Sequence, residues 1–300
     1  MTRSAVLVNP SRISHREDLR RAISRALAES GWPEPAWFQT TPEETGESQT
    51  RDAVESGAEV LFICGGDGTV RAAASALAGT EVAMAVLPLG TGNLLALNLG
   101  VPTDIAQGVR LATRGGRRRI DLGEVDGSTF TVAAGIGLDA QILADTNSRA
   151  KHRLGWPAYA AAALRHLAEP RFQAQIRLDD EAPFQRDVQS VLVANVGRLR
   201  GGMSLVRSAL PDDGQLDVVV LAPRWLHEWA GLAVNLLGHE PRGGRLETFR
   251  ARRVEVTADR PQAREVDGDL LPSGLTLSVV VRASALTVCV PMSRHAADRR

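Results

Sequence analysis

Two apolar runs that each pass straight into a glycine loop and then a helix limit most strongly what this chain can fold into. EVLFICGGDGTVRAAA (59–74) leads from a continuous greasy stretch through Gly-Gly-Asp-Gly-Thr into an alanine-rich segment. EVAMAVLPLGTGN (81–93) repeats the pattern with a second loop, followed by LLALNLG. An uninterrupted apolar run closed by glycine reads as a strand covered on both faces. Such strands belong to parallel sheets whose crossovers are helices. Upstream, SAVLVNP (4–10) is a third short run, stopped by Pro10, and REDLRRAISRALAES (16–30) places Leu19, Ile23, Ala26 and Leu27 on one helical face. Residues 1–125 are therefore expected to form an α/β domain, a doubly wound and mostly parallel sheet. In that arrangement the loops after the strands line the ligand crevice.

The rhythm changes near residue 126. RFQAQIRLDD (171–180) alternates Phe172, Ala174, Ile176 and Leu178 with polar partners, the mark of a strand with one wet face. VQSVLVANVG, GQLDVVVLAP, RRVEVTAD and GLTLSVVVRAS are similar short runs, punctuated by Gly, Pro and Asp. They predict an all-β antiparallel sandwich over 126–290, with helical insertions at 155–169 and 224–238 and a polar tail over 291–300. A chain of 300 residues is ample for two such domains. Equal numbers of basic and acidic residues, 35 of each, give no polyanion-binding surface, so no nucleic-acid partner is expected. The apolar run at the start is too short for a signal peptide, and Cys64 and Cys289 sit in apolar runs. These features predict a cytoplasmic protein that visits the inner membrane face peripherally.

GGDGT at a strand-to-helix turn presents unpaired amides and a helix dipole to an anion. The Walker pattern fails, because Val70 and Arg71 follow Thr69 and the chain holds one lysine, Lys151. The Rossmann glycine spacing fails too. An acid inside a phosphate loop is repulsive unless a divalent cation mediates, so Asp67 implies Mg²⁺. The plain alternative is a tight turn with a solvated aspartate.

The ordered set VNP (8–10), GGDGTV (65–70), PLGTGN (88–93), IDLGEV (120–125), AAGIGLDA (133–140), VAN (193–195), GGM (201–203), LPDDGQLDVVVL (210–221) and VDGD (266–269) resembles the diacylglycerol kinase catalytic-domain family. The likeness is strongest to its soluble bacterial lipid kinases. Sphingosine kinases are relatives, and NAD kinases share the GGDGT core. The resemblance implies an ATP site lined by Asn9, the pair Thr40/Thr41, Gly65, Gly66, Asp67, Gly68, Thr69, Gly90, Thr91 and Asn93. It implies that Asp67 holds the catalytic Mg²⁺ with support from Asp121. Asp267 and Asp269 correspond to the family's Asp-Gly-Glu, whose last position is the general base; for VDGD the alternative is an ordinary Asp-Gly hairpin turn. A structural Mg²⁺ site would fall on the Asp213 side chain with the backbone of Leu210 and Gln215, or that stretch is a plain turn.

The resemblance thus implies an ATP- and Mg²⁺-dependent phosphotransferase acting on the primary hydroxyl of a lipid alcohol, with diacylglycerol the leading acceptor. The acceptor would sit in the cleft between domains, with transient membrane contact and a homodimer as an open possibility. Sphingoid bases, other lipid alcohols and a nucleotide-binding regulator with little catalysis stand as alternatives. Three departures bear on this. Asp269 replaces glutamate, which shortens the base by one methylene. Leu94 stands where some relatives carry an acid, and Arg12-Ile13 replace a common Ser-Gly. RWLHEWAGLAVNLLG (224–238) reads as a helix packed on the sandwich or dipping into a bilayer interface. RGGRRR (114–119) reads as a solvated loop or a headgroup contact.

Overall fold

The computed structural model describes residues 2–13, 15–137, 171–198, 206, 208–223, 228 and 246–292. The helical insertions expected at 155–169 and 224–238 therefore lie outside the described residues, apart from Glu228, as do GGM and most of the polar tail. The chain divides into two compact units, Met1–Leu122 with Ala283–Arg300, and Gly123–Arg282.

In the first unit, β1 (Ser4–Val8) pairs in parallel with β2 (Ala36–Gln39) on one side and β3 (Val60–Gly65) on the other. Beyond β3 lies β4 (Ala83–Pro88), also parallel. The resulting order β2-β1-β3-β4 reverses direction between β1 and β3, which opens a crevice at the carboxyl ends of those two strands. Helices cover both faces, as alternation along β1 requires. Ala5 and Leu7 point into a core with Ala53 of α2 (Glu47–Glu55) and Val70, Ala73, Ala74 and Leu77 of α3 (Asp67–Leu77). Val6 and Val8 point the other way, toward Ile23, Ala26 and Leu27 of α1 (Arg16–Glu29) and Val109 and Ala112 of α5 (Ile105–Arg114). Between β4 and α5 a short helix, α4 (Leu94–Leu99), follows the second glycine loop.

The RGGRRR stretch differs from the loop expected. Its last residues open β5 (Gly116–Val125), where Arg119 pairs with Glu81 at 2.6 Å and Arg117 donates to the Ala112 carbonyl. Those cations are spent on this unit's own acceptors.

The second unit is antiparallel. Its strands run β12 (Leu246–Ala251), β11 (Leu216–Leu221), β10 (Ser190–Ala194), β7 (Ala133–Gly137) and β13 (Arg253–Val266) in spatial order. β8 (Phe172–Leu178) pairs with β13 and with β9 (Phe184–Val188), and its alternate residues are buried as the sequence pattern requires. β5 forms a hairpin with β6 (Ser128–Phe130), and Gly123 lies beneath the fully buried Phe130 ring. A Cβ there would sit 1.9 Å from Phe130 Cζ. Gly123→Ala is accordingly expected to cost about 1–3 kcal/mol by overpacking, seen as a lower urea midpoint at unchanged slope.

The final strand, β14 (Asp269–Val290), departs from the expected domain boundary. Its first half pairs with β13, whereas Val288 pairs in parallel with Met84 of β4. Leu286, Val288 and Cys289 are buried in the cores of the first unit. Residues 283–290 thus belong with the α/β unit, because their apolar alternation is met by that sheet. Among the described residues, no helix is long and apolar enough to cross a membrane.

Candidate active site

The crevice between β1 and β3 is built from three chain ends. After β1, the Asn9 side chain donates from Nδ2 to Thr69 Oγ1 at 3.2 Å, and its Oδ1 accepts from the amide and hydroxyl of Ser11. At the end of β3, a Cβ on Gly65 would lie 2.7 Å from Thr69 Cβ, so glycine is what lets Thr69 fold back over the strand. After β2, the Thr40 amide donates to the Val8 carbonyl, and Thr40 is buried. Gly46, at a φ of 127°, tucks against Thr40, with Thr69 just beyond. Thr41 is exposed, and its hydroxyl accepts from the Glu44 amide in a local turn. The structure therefore separates the threonine pair: Thr40 is buried next to Gly46, and Thr41 serves the loop.

Helix α3 begins at Asp67, so the amides of Asp67, Gly68 and Thr69 form its first turn and lack intrahelical acceptors. Gly68 is exposed, with open space around its Cα. The second loop leans on the first, backbone to backbone. The Leu89 amide donates to the Gly65 carbonyl, and a Cβ on Gly90 would stand 2.6 Å from Gly66 Cα. Asn93, at a φ of 49°, closes this loop by accepting from the Gly90 amide and donating to the Gly90 carbonyl. Thr91 lies exposed at its tip. Gly90→Ala is expected to separate the loops. The outcome to measure is at least a tenfold larger nucleotide dissociation constant, together with a thermal midpoint lowered by the backbone shift that the added Cβ forces.

Asp67 has a role the sequence reading missed. Its Oδ2 accepts from the Asn93 amide at 3.0 Å and its Oδ1 from the Leu94 amide at 2.7 Å. The carboxylate of one glycine loop thus caps the helix that follows the other. Asn93 is left-handed and makes no side-chain cap of its own, which is why α4 borrows one. Asn is among the favoured N-caps, so nothing in the sequence signalled that α4 would draw its cap from Asp67; the Asn93 side chain is instead spent on Gly90.

These residues suit a magnesium ion that arrives with phosphate ligands, since Mg²⁺ is typically bound through one or two carboxylates and substrate oxygens. They do not form a protein cage. No group of three or more His, Cys, Asp or Glu that could hold a metal gathers among the described residues. Asp121, expected to support the ion, is fully buried in β5, where Oδ1 accepts from the Ser284 amide at 2.7 Å. It braces β14 at a residue with a φ of 51°.

The VDGD segment is the hairpin turn between β13 and β14. Asp267 and Gly268 both have positive φ, 47° and 86°, and Val266 pairs with Asp269 across them. The turn is pinned by its own acids. Asp267 accepts from the Thr131 amide and hydroxyl and from the amides of Val132 and Ala133, at 2.8–3.1 Å. Glu265, buried and unnoticed in the sequence, accepts from the Gly268 amide at 2.7 Å. Four donors occupy the Asp267 oxygens, so this residue organises the turn. Asp269 is exposed at the start of β14.

The stretch expected to hold a structural metal is differently equipped. Asp213 Oδ1 accepts from the Gln215 amide, Oδ2 is engaged by the Arg250 guanidinium, and Leu210 is exposed. The Arg250 guanidinium therefore already occupies the carboxylate expected to hold the ion.

With that geometry in place, the comparisons with known proteins agree. Residues 3–125 match the diacylglycerol kinase catalytic domain, and residues 131–290 match the YegS C-terminal NAD kinase beta sandwich-like domain. A Pseudomonas syringae protein named "Probable lipid kinase YegS-like" is 33% identical, covering 96% of this chain and 94% of its own length. A Bacillus subtilis diacylglycerol kinase is 27% identical, with 90% of each chain covered. Among solved structures, a Bacillus anthracis diacylglycerol kinase superposes with a TM-score of 0.79 at 22% identity, over 96% of each chain. An Archaeoglobus fulgidus NAD kinase shares the fold at 0.55 and 13%, over 95% of this chain and 93% of its own. The chain belongs to the diacylglycerol kinase-like family of lipid kinases.

Proposed function

We propose that this protein transfers the γ-phosphoryl group of ATP to the primary hydroxyl of a lipid alcohol, with diacylglycerol as the leading acceptor and phosphatidic acid as product. The observation that carries the reading is the pair of interlocked glycine loops at the β1/β3 switch point, joined through Asp67. The first-turn amides of α3 offer fixed donors to phosphate oxygens, and glycine lets the anion approach the backbone. Asn9 holds Thr69 in place beneath that turn. With no lysine in either loop, Mg²⁺ held at Asp67 would neutralise charge on the phosphates.

Asp269 is the general base in this reading. A lipid alcohol is un-ionised at neutral pH, so its proton must leave as the oxygen attacks. The O–P bond to the acceptor forms, the bond from the γ-phosphorus to the bridging oxygen breaks, and ADP departs. The proton passes to the Asp269 carboxylate. Asp267 and Glu265 fix the turn from which Asp269 projects. A lipid acceptor also implies transient contact with a membrane surface.

The test is γ-labelled ATP with a panel of lipid alcohols that includes diacylglycerol, monoacylglycerol and a sphingoid base. Label is expected in one lipid class and absent without Mg²⁺. Nucleotide binding with no transfer to any of these alcohols would overturn the reading in favour of a regulator of the same fold.

A further inference from the structure

The acids of the Leu210–Gln215 turn are balanced from within the chain. Asp217 lies on β11 directly opposite Arg250 on β12, in register across the antiparallel pair. From that position the Arg250 guanidinium engages Asp213 Oδ2 and places Nε 3.9 Å from Asp217 Oδ1. The two carboxylates are shielded, with side-chain exposures of 19% and 6%. Gly214, at a φ of 73°, bends the chain so that Asp213 can also cap the Gln215 amide.

We infer that Arg250 is the built-in cation of this turn, standing between Asp213 and Asp217 where a bound divalent ion would otherwise do the same work. The geometry favours arginine over a metal on two counts. A hard cation needs anionic or carbonyl oxygens not already held by another cation, whereas the Arg250 guanidinium sits on Asp213 Oδ2. A guanidinium presents a planar fork that reaches two acids at once, and the strand register delivers it without a ligand. The second unit should therefore hold its β11–β12 edge independently of divalent ions. The inference does not depend on which lipid is phosphorylated.

The experiment is thermal unfolding of the nucleotide-free full chain in chelator and in millimolar MgCl₂ or CaCl₂. Wild type, Asp213→Asn, Arg250→Met and Arg250→Lys are compared at matched ionic strength. Any metal-induced shift of the wild type should be the same in Asp213→Asn. Arg250→Met should melt several degrees lower and gain a metal-dependent recovery that Asp213→Asn removes when combined with it. Arg250→Lys, which keeps a charge, should fall between the two. A wild-type stabilisation by Mg²⁺ or Ca²⁺ that Asp213→Asn abolishes would overturn the inference. So would an Arg250→Met protein that melts like the wild type and ignores both ions. Should Arg250→Met fail to fold, the wild type and Asp213→Asn comparison decides by itself.

Discussion

Asp269→Asn is expected to lower phosphoryl transfer by about 10²–10⁴-fold, the usual contribution of a positioned general base. Nucleotide affinity and the urea midpoint should stay near wild type, because Asp269 is exposed at the start of β14. Asp267→Asn provides the contrast. Its amide would turn two hydrogens toward a site that now receives four donors from Thr131, Val132 and Ala133. That substitution should cost about 1–3 kcal/mol of stability, the penalty for leaving buried donors unmatched. Initial rates with labelled nucleotide, calorimetric binding and urea unfolding separate the two effects. If Asp267→Asn instead keeps full stability and loses more activity than Asp269→Asn, the assignment of roles is reversed. Asp269→Glu is a useful third variant, since it restores the longer side chain found in the wider family.

Asp67→Ala should have the second large effect, and through two separable routes. It removes the acceptor for the Asn93 and Leu94 amides, a loss comparable to a missing helix cap at about 0.5–2 kcal/mol. Hydrogen exchange over residues 90–96 should then quicken, whether or not nucleotide is present. It also removes the carboxylate expected to hold Mg²⁺, so nucleotide affinity should cease to rise with added magnesium. Asp67→Asn distinguishes the routes. It keeps one of the two acceptors for α4 and turns an amide NH₂ toward the other backbone donor, so exchange protection should fall part of the way toward that of Asp67→Ala, while the magnesium response is abolished. Were nucleotide binding to the wild type indifferent to magnesium, the proposed role of Asp67 toward the ion would fail. Its role as a clamp between the loops would survive and could be read from exchange alone.

Much of the fold was legible because burial leaves a period in the sequence. The runs at 60–66 and 82–88 are apolar throughout, since helices cover both faces of β3 and β4. The run at 171–180 alternates, since one face of β8 meets solvent. Glycine positions carried the loops, because Gly65 and Gly90 stand where a Cβ would strike a neighbour. The fate of residues 283–290 was not legible: an apolar strand suits either unit, and only pairing with Met84 decides.

Residue types and their spacing were enough to expect a ligand crevice after the strands of the first unit with Asp67 in its glycine loop, while Asp267 and Asp269 were nominated by the family resemblance. What each acid does was decided in three dimensions. Asp67 caps a helix that starts 27 residues away from it, Asp267 is saturated by a strand more than 130 residues earlier, and Asp121 is fully buried as a brace. Arg250 reaches Asp213 only because β12 lies beside β11. A carboxylate's chemistry depends on how many donors surround it, and donors that come from distant segments leave no local pattern to read.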